Sequence, residues 1–598
     1  MAIQPSDHQY VAWLVLHHSL LGDRLQGIKA SDDFDLGREN LREWFDITEP
    51  SISAHHLRFH CVVFENGSDQ DDDHVEPLVY MRVLSANPVR LESSCFNNTS
   101  ILRKRDRDIL LNHGDVLELN PSVSITFRTA HPPVPCESAL SPLQQGDIMS
   151  FEARYAVSDR LLGSGGQACV FLATKQSDQS QLACKVVSLP QQRAEIAGDP
   201  QAVIEARRVA VQRQKKRDVL AREYSILKDL SHPNIVSLEK VLCTTYNIYI
   251  MQELLTGGDL LSYLDQTNAL DEPEAAVIVR QVLKAVEYLH DQNIAHRDIK
   301  PENVLMTSWR PGARVVLTDF GQARTLANGI EMQKGSNMFR MQSMVGTYGY
   351  AAPELYKRYK HNDGYSKAID IWSVGCIAGT LLTGEPMPFE EKGHDWSLEF
   401  MDSEKQRQWR KVGHKAKSFI RACLTFDESI RPSAKEALMH DWFTNKHYAA
   451  NLEAAYQRAI KDWAPRMTNS GLIEFIDTSH IVIDDQQSSD CDSRSDQNYS
   501  HHFAANASRA PEAMSTIKEA VQTMKPVHNA TSADPEMHMF SEDGIPLYAS
   551  PIGVPESPPP FSQPNSFSDI VTSTYDVDAE TQLSQLPDMA SHPQFMLD

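Results

Sequence analysis

His296-Arg297-Asp298-Ile299-Lys300-Pro301-Glu302-Asn303 is the most informative stretch of this chain, and Asp319-Phe320-Gly321 begins sixteen residues after its last member. Mg²⁺ takes oxygen ligands, so the carboxylate of Asp319 and the carboxamide of Asn303 are candidate metal ligands. Asp298 lies in the same stretch and is placed to accept a proton from a hydroxyl group. Most short polar runs are simple loops, but two such motifs at this distance predict a catalytic loop followed by a metal-binding turn.

The two motifs resemble the catalytic loop and the metal-binding segment of the eukaryotic protein kinases. The resemblance implies a two-lobed α+β catalytic domain over residues 151–445 that uses ATP and Mg²⁺. It also implies roles for single residues. Asp298 orients the acceptor hydroxyl, and Lys300 stabilises the transferring phosphoryl group. Asn303 and Asp319 hold the metal ion.

A glycine-rich segment ahead of these motifs resembles the phosphate-covering loop of the same family, because missing side chains let backbone N–H groups approach phosphates. Ala168 replaces the third glycine of the family pattern, and its methyl group still leaves room for the backbone. The resemblance assigns the following residues to this part of the ATP site: Leu162, Gly163, Ser164, Gly165, Gly166, Gln167, Ala168, Cys169 and Val170.

Lys185 follows the glycine-rich segment and is similar to the family's lysine that holds the α- and β-phosphates. Its expected partner is Glu223, an acid on the next predicted helix. Ala183, two residues before Lys185, belongs to the same ATP site. A buried strand then runs into the hinge between the lobes. The resemblance implies that the backbone groups of Glu253 and Leu255 in this hinge form hydrogen bonds with the adenine ring.

The spacing between Lys185 and Glu223 is long, and residues 190–218 form an apparent insertion. This insertion contains Arg207-Arg208 and Lys215-Lys216-Arg217. One interpretation is a nuclear import signal or a docking patch. The other is a solvated basic extension of the helix that leads to Glu223. The sequence leaves both interpretations open.

Two acids indicate which substrates the kinase-like domain prefers. Asp259 follows the hinge, and Glu302 lies in the catalytic loop. In the family, acids at these positions favour an arginine a few residues before the target hydroxyl. A pair of carboxylates suits the planar guanidinium fork. The resemblance therefore implies protein substrates with basic residues ahead of the target Ser or Thr.

The activation segment is expected over residues 319–354. Arg297 precedes the catalytic Asp298 and offers a cationic partner to a phosphate on this segment, the arrangement by which phosphorylation orders a loop. Ser343 is the first candidate for that phosphate. Thr347 is the second candidate, and the resemblance also gives it the role of positioning the catalytic loop.

Residues 10–130 predict a β-sandwich, because many short strand patterns alternate with turns and few helical periods occur. The apolar run at 11–16 is too short to span a bilayer and predicts a buried strand. The strands with the strongest patterns are expected at residues 13–16, 59–64, 78–84 and 123–127.

Four short motifs in this region occur in the order typical of the forkhead-associated (FHA) domain: Gly37-Arg38, Ser53-Ala54-His55-His56, Asn97-Asn98-Thr99 and Gly114-Asp115. FHA domains bind phosphothreonine peptides. The resemblance implies that Arg38 and Ser53 hold the phosphate through charge-assisted hydrogen bonds. It also implies that Asn97 holds the peptide backbone and that His56 braces the loop.

Two positions depart from the FHA pattern. Ala54 replaces a basic or amide residue, and Phe96 replaces a Ser or Thr, so each change removes one potential phosphate donor. Weak phosphopeptide binding or an unusual partner is the expected consequence. Because each motif is short, a purely structural sandwich is the alternative interpretation.

The segments outside the two domains differ in composition. Residues 131–150 are rich in Pro, Ser and Gln and predict a linker. Residues 446–598 predict a short helix at 449–463, interpreted either as a calmodulin site or as a helix packed on the catalytic domain, and then an acidic tail. From Asp484 onward there are 4 Lys or Arg and 18 Asp or Glu, a net charge of −14, so this tail is expected to be disordered. It contains Ser562-Gln563, Thr581-Gln582 and Ser584-Gln585.

The composition of the whole chain excludes some classes of function. The formal net charge of −23 opposes direct binding to nucleic acid. The 9 cysteines form no C-x-x-C pair, which fits a reducing compartment rather than a disulfide or zinc framework. No membrane segment or secretion signal is evident, so no membrane partner is expected.

An FHA-like domain ahead of a kinase-like domain resembles the checkpoint kinases of the DNA-damage and meiotic recombination responses, particularly those of fungi. The resemblance implies nuclear and also cytoplasmic localisation, an upstream SQ/TQ-directed kinase, a phosphothreonine-containing adaptor and a transient homodimer. Two alternatives are a scaffold with weak or no catalysis and a calmodulin-regulated kinase. The presence of Lys185, Glu223, Asp298, Asn303 and Asp319 argues against the scaffold.

Overall fold

The computed structural model divides the chain into two units, residues 1–526 and residues 527–598, and all described residues belong to the first. The acidic tail predicted from Asp484 onward lies outside the described residues. The described residues are 10–30, 32–46, 48–63, 76–130, 138–165, 168–190, 200–325, 348–357, 366–387, 398–402, 407–446, 448–466 and 471–479.

The N-terminal domain consists of two packed sheets. One has the strand order β2-β1-β10-β9-β6-β7, and the other has the order β3-β4-β5-β8. In the described part of this domain the elements are β1 Ala12–His18, β2 Gly22–Ile28, β3 Asp33–Leu36, α1 Arg38–Phe45, β4 Leu57–Val62, β5 Leu78–Val83, β6 Val89–Ser93, β7 Asn98–Leu102, β8 Ile109–Leu110, β9 Val116–Asn120 and β10 Val123–Thr129.

The core of the sandwich follows from alternation along the strands. Successive side chains of a strand point to opposite faces, so β1 buries Leu14 and Leu16 while the residues between them are more exposed. Phe59 from the second sheet and Phe127 from the first are both buried in the same cluster. The predicted β-sandwich is confirmed, and the run at 11–16 is a buried strand as expected.

Helix α1 is an addition that the strand pattern did not predict. It begins directly after Gly37, whose missing side chain permits a close approach of two chain segments. A Cβ atom at Gly37 would lie 2.0 Å from the carbonyl oxygen of Ala54. Glycine is therefore required at this position by contact with the loop that carries Ser53.

The stretch predicted as a linker contains a second helix, α2, Pro142–Met149. A capping box with Ser141 as the N-cap starts it, which is a sequence signal for helix formation. Asp147 near its end is buried and accepts hydrogen bonds from the Thr244 hydroxyl at 2.6 Å and from the Asn247 side-chain amide at 2.7 Å. The linker is thus fastened to the catalytic domain at its C-terminal end.

The catalytic domain has a sheet-rich amino-terminal lobe and a helical carboxyl-terminal lobe, as the resemblance implied. The sheet of the first lobe has the strand order β11-β12-β13-β15-β14-β20. The described strands are β11 Tyr155–Gly165, β12 Ala168–Lys175, β13 Gln181–Ser188, β14 Leu238–Cys243, β15 Asn247–Glu253, β16 Ile294–Ala295, β17 Val304–Met306, β18 Val315–Leu317, β19 Arg324–Thr325 and β20 Ile473–Phe475.

Helices α5 and α7 form the centre of the second lobe, and Trp372 of α7 is completely buried there. In the part of the chain that the structure describes, no helix combines the length and the apolar character needed to cross a membrane. The described helices are α3 Pro200–Leu227, α4 Leu260–Thr267, α5 Glu272–Asp291, α6 Pro353–Lys357, α7 Ala368–Thr383, α8 His414–Cys423, α9 Ala434–Leu438, α10 Asp441–Thr444 and α11 Ala449–Ile460.

The basic insertion is the first half of helix α3. Arg207 and Arg208 are exposed on it, whereas Arg217 is buried and donates a hydrogen bond to the Thr245 carbonyl at 3.3 Å. The interpretation as an extension of the helix that carries Glu223 is confirmed for residues 200–218. Use of the exposed arginines as a nuclear import signal stays a prediction.

Helix α11 packs against the catalytic domain. Leu452 and Tyr456 are buried, and the Tyr456 ring faces the Arg280 guanidinium at 5.5 Å and the Lys284 ammonium at 5.2 Å. This result confirms the packed-helix interpretation. Calmodulin would have to displace these contacts before it could enclose the helix, so the second interpretation gains no support.

The two domains share an interface at the hinge. His60 of β4 lies 2.8 Å from the carbonyl oxygen of Thr256, and Asp33 of β3 forms an ion pair with Arg310 at 3.2 Å. The N-terminal domain therefore contacts both the hinge and the carboxyl-terminal lobe. One apolar cluster joins residues of both domains: Val62, Leu78, Tyr80, Leu110, Leu162 and Leu172.

Candidate active site

Lys185 and Glu223 form the ion pair that the sequence predicted. Lys185 lies on β13 and its Nζ is 2.8 Å from Oε1 of Glu223 on α3. Burial alone would lower the pKa of Lys185, but the charges of Glu223 and Asp319 outweigh burial and hold this pKa above its ordinary value. The lysine therefore stays cationic, which a group that holds phosphate oxygens must be.

Asp319 stands at the start of a short 3₁₀ turn in a left-handed conformation, with φ of 57°. Its carboxylate lies 3.5 Å from Lys185 and accepts a hydrogen bond from the Gly321 amide at 3.3 Å. Burial would raise its pKa, but Lys185 and the Gly321 amide outweigh burial and lower it. Phe320 beside it is buried and packs edge-on against the His296 ring at 4.8 Å. The turn is thus anchored with its carboxylate ionised.

Asp370, at the start of α7, holds the backbone of the catalytic loop. Its buried carboxylate accepts hydrogen bonds from the amide of His296 at 2.9 Å and from the amide of Arg297 at 2.8 Å. Arg297 has a φ of 74°, a strained conformation for a residue with a long side chain. The two bonds to Asp370 stabilise that conformation and thereby orient the next residue, Asp298. Motif matching in the sequence did not reveal this contact.

The catalytic loop brings Asp298, Lys300 and Asn303 together. The Asn303 amide donates to the Asp298 carbonyl at 2.8 Å and to its carboxylate at 3.1 Å. Lys300 Nζ lies 3.8 Å from the same carboxylate. Because the NH₂ group of Asn303 is used by Asp298, the amide oxygen of Asn303 is the atom that can ligate a metal.

The residues of the site fit a Mg²⁺ ion. Within the described ranges no group of three or more His, Cys, Asp or Glu side chains could hold a metal. Mg²⁺ is usually bound through one or two protein oxygens together with water and substrate phosphates. Asp319, which is ionised, and the amide oxygen of Asn303 supply such a pair. The donor set therefore suits Mg²⁺ with a bound nucleotide rather than a closed protein cage.

The roof of the predicted nucleotide pocket is only partly as expected. Leu162 is buried, and Val170 and Ala183 pack in the same cluster. Cys169 instead packs with the cluster on the opposite face of the sheet, because neighbouring residues of a strand point to opposite sides. Its side chain therefore does not line this pocket. Two predicted members of the pocket lie outside the described residues: Gly166 and Gln167.

The remaining predicted ATP residues lie on strands β11, β12 and β15 and directly after β15. Glu253 ends strand β15, and its buried carboxylate accepts hydrogen bonds from the Ser237 amide at 3.0 Å and from the Arg314 guanidinium at 2.5 Å. These bonds fix the strand that leads into the hinge. Leu255, two residues later, is buried. The glycine-rich residues described on β11 and β12 are Gly163, Ser164, Gly165 and Ala168.

The two acids predicted to read a substrate arginine have different surroundings. Asp259 is the N-cap of α4, and its carboxylate accepts hydrogen bonds from the Ser262 amide at 2.8 Å and hydroxyl at 3.1 Å. Glu302 has a buried oxygen, Oε2, without a hydrogen-bond partner among the described residues. Burial raises the pKa of both carboxyls. Glu302 is therefore the acid with capacity for a further partner.

The two predicted regulatory phosphosites, Ser343 and Thr347, lie outside the described residues. The end of the activation segment is described and is anchored by a buried ion pair. Arg431 donates to the two carboxylate oxygens of Glu354 at 2.8 and 3.1 Å. Its guanidinium also faces the Trp372 ring at 5.2 Å. The segment thus ends at a fixed point on the carboxyl-terminal lobe.

The N-terminal domain brings two of its three predicted phosphopeptide residues together. The Arg38 amide donates to the Ser53 carbonyl at 2.9 Å, and the Arg38 guanidinium donates to the Ile52 carbonyl at 2.7 Å. The Ser53 amide donates a hydrogen bond to Nδ1 of the buried His56 at 3.1 Å. The bracing role predicted for His56 is confirmed, and burial lowers its pKa.

Asn97, the third predicted residue, lies elsewhere. It precedes β7, whereas Ser53 neighbours the turn that precedes β6, so the length of β6 separates them by roughly 16 Å. Asn87 is the asparagine that adjoins Ser53. Its amide donates to the Ser85 hydroxyl at 3.0 Å, and that hydroxyl lies 2.7 Å from the Ser53 hydroxyl. The signal that could have found it is Ser85-Ala86-Asn87 directly after a predicted strand.

Comparison with known proteins agrees with this geometry. Residues 156–443 match the protein kinase domain family. The meiosis-specific serine/threonine-protein kinase MEK1 of Saccharomyces cerevisiae is 31% identical over 463 residues, which are 71% of this chain and 83% of that protein. The chain belongs to the serine/threonine protein kinases.

Two further relatives place this kinase within the family. The meiosis-specific serine/threonine-protein kinase mek1 of Schizosaccharomyces pombe is 28% identical over 465 residues, which are 76% of this chain and 91% of that protein. The serine/threonine-protein kinase cds1 of the same organism is 28% identical over 396 residues, covering 64% and 77% of the two chains. The resemblance to the checkpoint kinases is confirmed. The kinase domain implies protein substrates, ATP and a divalent metal ion.

Proposed function

We propose that this kinase phosphorylates Ser and Thr residues of proteins in a meiotic or DNA-damage checkpoint pathway. The observation that carries the proposal is the assembled catalytic set. Lys185 is paired with Glu223 at 2.8 Å, and Asp319 lies 3.5 Å from the same lysine. The pathway rests on the relatives, two of which are named meiosis-specific kinases. The assembled ion pair disfavours the alternative of a scaffold without catalysis.

The residues of the site divide the chemical work. Bound Mg–ATP supplies the phosphoryl group and the metal charge that neutralises it. Lys185, kept cationic by Glu223, would hold phosphate oxygens, and Asp319 with Asn303 would hold the metal. The carboxylate of Asp298 accepts a hydrogen bond from the side-chain amide of Asn303, which fixes its orientation. In this orientation the carboxylate would orient the substrate hydroxyl. Catalysis is therefore mainly positioning and electrostatic stabilisation.

Substrate choice in this proposal depends on Glu302 and Asp259. A substrate arginine a few residues before the target hydroxyl would satisfy the buried Oε2 atom of Glu302. Asp259 already caps α4, so its contribution is through charge. The expected substrates are proteins with basic residues ahead of the phosphorylated Ser or Thr.

Recruitment and activation complete the proposal. The cluster of Arg38, Ser53, Ser85 and Asn87 is a candidate phosphothreonine site for an adaptor protein phosphorylated by an SQ/TQ-directed kinase. Two kinase molecules brought together in this way, as a transient homodimer, would phosphorylate each other at Ser343. We place this activity in the nucleus, with a further cytoplasmic pool.

The test is a kinase assay on an array of peptides with the purified full-length protein and radiolabelled ATP. Transfer to Ser and Thr peptides, with a preference for those that carry an upstream arginine, is the expected result. The Asp298→Asn variant, which keeps the shape of the side chain but removes the carboxylate, serves as the inactive control. Equal signal from parent and variant would disprove catalysis at this site.

A further inference from the structure

Arg466 and residues 471–479 lie beyond the region that matches the protein kinase family, which ends at residue 443, yet they contact the amino-terminal lobe. Strand β20, within residues 471–479, pairs in parallel with β14. The Val241 amide donates to the Leu472 carbonyl at 2.7 Å, and the Ile476 amide donates to the Cys243 carbonyl at 2.9 Å. Strand β20 thus covers the edge of β14, which would otherwise present unpaired backbone groups.

Side chains fix this added strand in place. Glu474 accepts hydrogen bonds from Arg154 at 2.7 and 2.8 Å and forms an ion pair with Lys240 at 2.8 Å. The bonds from Arg154, with those from Lys240, lower the pKa of Glu474 to about 2. Thr478 is fully buried and exchanges hydrogen bonds with Thr245 at 3.2 and 3.3 Å. The strand is therefore a specific part of the lobe.

Arg466, ahead of this strand, binds the backbone that follows α3. Its guanidinium donates to the carbonyl of Leu238 at 2.8 Å, to that of Leu230 at 3.4 Å and to that of Lys228. Helix α3 ends at Leu227, and amides of the turn that follows it donate hydrogen bonds to its last carbonyls, those of Tyr224, Ile226 and Leu227. A cation at this end also interacts favourably with the helix dipole. Arg466, which lies beyond the family region, thus holds the turn that directly follows α3 and that supplies the hydrogen bonds to its last carbonyls.

We propose that Arg466 is a positioning residue for catalysis, which acts through α3 on the Lys185–Glu223 pair. Glu223 lies four residues before the end of α3, about one helical turn. The 2.8 Å contact with Lys185 therefore depends on the angle at which that last turn is held. Arg466 holds the turn that directly follows this part of α3, so the functional catalytic unit extends beyond residue 443 to at least Arg466.

The first experiment measures steady-state kinetics of full-length variants with a peptide substrate. Arg466→Ala should lower kcat about three- to tenfold, the loss expected for removing one charged hydrogen-bonding group that acts through position. KM for the peptide should not change, because the backbone carbonyls that Arg466 binds, between Lys228 and Leu238, are not part of the catalytic loop. Arg466→Lys keeps the charge but loses the fork and should show a smaller loss. Arg458→Ala, on the exposed face of α11, is the matched control and should equal the parent.

A double-mutant cycle with Glu223→Gln separates positioning from general stability. If Arg466 acts through Glu223, Arg466→Ala in the Glu223→Gln background should lower the residual rate by less than about twofold. The proposal would be overturned if the loss of kcat in the double variant equalled the product of the losses in the two single variants. An unchanged kcat in Arg466→Ala would overturn it as well.

Folding is checked by thermal denaturation and by hydrogen exchange of α3, whose last turn should exchange faster in Arg466→Ala. Should that variant not accumulate as folded protein, Arg466→Lys carries the test, and a kcat equal to the parent then contradicts the proposal. The proposal rests on the phosphotransfer activity of the parent. An inactive parent protein would instead contradict the proposed function, so the two failures are distinguishable.

Discussion

Gln181 binds both main-chain groups of Leu110 across the domain interface. Its side-chain oxygen accepts a hydrogen bond from the Leu110 amide at 2.7 Å, and its side-chain NH₂ donates to the Leu110 carbonyl at 3.0 Å. Leu110 lies on β8, the last strand of the second sheet of the N-terminal domain. One carboxamide of the catalytic domain thus pairs with the sheet edge as a neighbouring strand would. The N-terminal domain is attached by this contact to β13, the strand that also carries Lys185.

Gln181→Ala should loosen this attachment, because the amide and carbonyl of Leu110 lose their partners while the surrounding apolar cluster stays. Leaving buried polar groups unpaired costs about 1–3 kcal/mol. Hydrogen exchange measured by mass spectrometry should show faster exchange of β8 in the variant. Gln212→Ala, at an exposed position of α3, is the matched control and should leave β8 unchanged. Equal protection of β8 in both variants would show that the contact does not hold the domains together.

Asp319→Asn should abolish phosphotransfer while leaving the fold intact, because it removes the charge of a metal ligand but not its shape. Rates measured with radiolabelled ATP should fall by at least about 10³-fold, a loss typical of removing a central electrostatic group. Thermal denaturation should give a melting temperature close to that of the parent. Asp402→Asn, an exposed aspartate paired with Arg421, is the control and should keep full activity. An active Asp319→Asn enzyme would refute the assignment of the metal ligand.

The sequence was sufficient to predict the catalytic residues that lie in contiguous motifs. Asp298, Asn303 and Asp319 lie within one short region of chain, and their spacing matches the motifs of the kinase family. The sequence could not show Asp370 holding the Arg297 backbone, because that contact joins residues 73 positions apart. It also pointed to Asn97 as the third phosphopeptide residue and gave no sign that Asn87 is the asparagine beside Ser53. The turn that lies beside Ser53 is determined by the direction in which β6 runs, and the spacing of the motifs does not indicate that direction.

The attachments outside the catalytic domain were also invisible in the sequence. Residues 131–150 have the composition of a linker, yet Asp147 is buried beneath three polar partners, which only the folded lobe brings together. Strand β20 has three residues, too few for a periodic pattern. Short elements of this kind form because a neighbouring strand edge offers hydrogen bonds, so local sequence carries little information about them.

Glu302→Gln should raise KM for peptides that carry an arginine ahead of the target residue, because the neutral amide cannot form a charged pair with the guanidinium. The expected loss in kcat/KM is about 10-fold, as for a charge-assisted contact. Peptides with alanine in place of that arginine are the matched substrates, and their kcat/KM should not change. An equal loss on both peptides would show that Glu302 has a structural role.

The preference for arginine should depend on pH. Burial raises the pKa of Glu302, and the charges of Asp298 and Asp259 act in the same direction. The ionised form, which attracts the guanidinium, is therefore present above this raised pKa and is lost as the pH falls through it. The ratio of kcat/KM for the two peptides, measured between about pH 5 and pH 8, should fall towards one on the acid side. A ratio independent of pH would contradict a role for this carboxylate.

The phosphothreonine site should bind the chain's own tail. Among the SQ and TQ sites from Ser562 to Ser584, only Thr581 is a threonine, the residue that FHA domains select. A peptide with phosphorylated Thr581 should bind the full-length protein, and the corresponding phosphoserine peptide should bind more weakly. Binding would tether a second kinase molecule at roughly millimolar effective concentration, sufficient for one molecule to phosphorylate the other.

Isothermal titration calorimetry with that peptide tests the site and also shows whether Asn87 or Asn97 contributes to peptide binding. Arg38→Ala should abolish binding, and Asn87→Ala should weaken it about tenfold or more, because Asn87 adjoins the Ser53–Ser85 pair. Asn97→Ala is the matched control and should bind like the parent, because the length of β6 separates it from Ser53. A loss of binding in Asn97→Ala but not in Asn87→Ala would reverse the assignment. Equal binding by Arg38→Ala and the parent, or no binding by the parent, would exclude the tail as the ligand of this site.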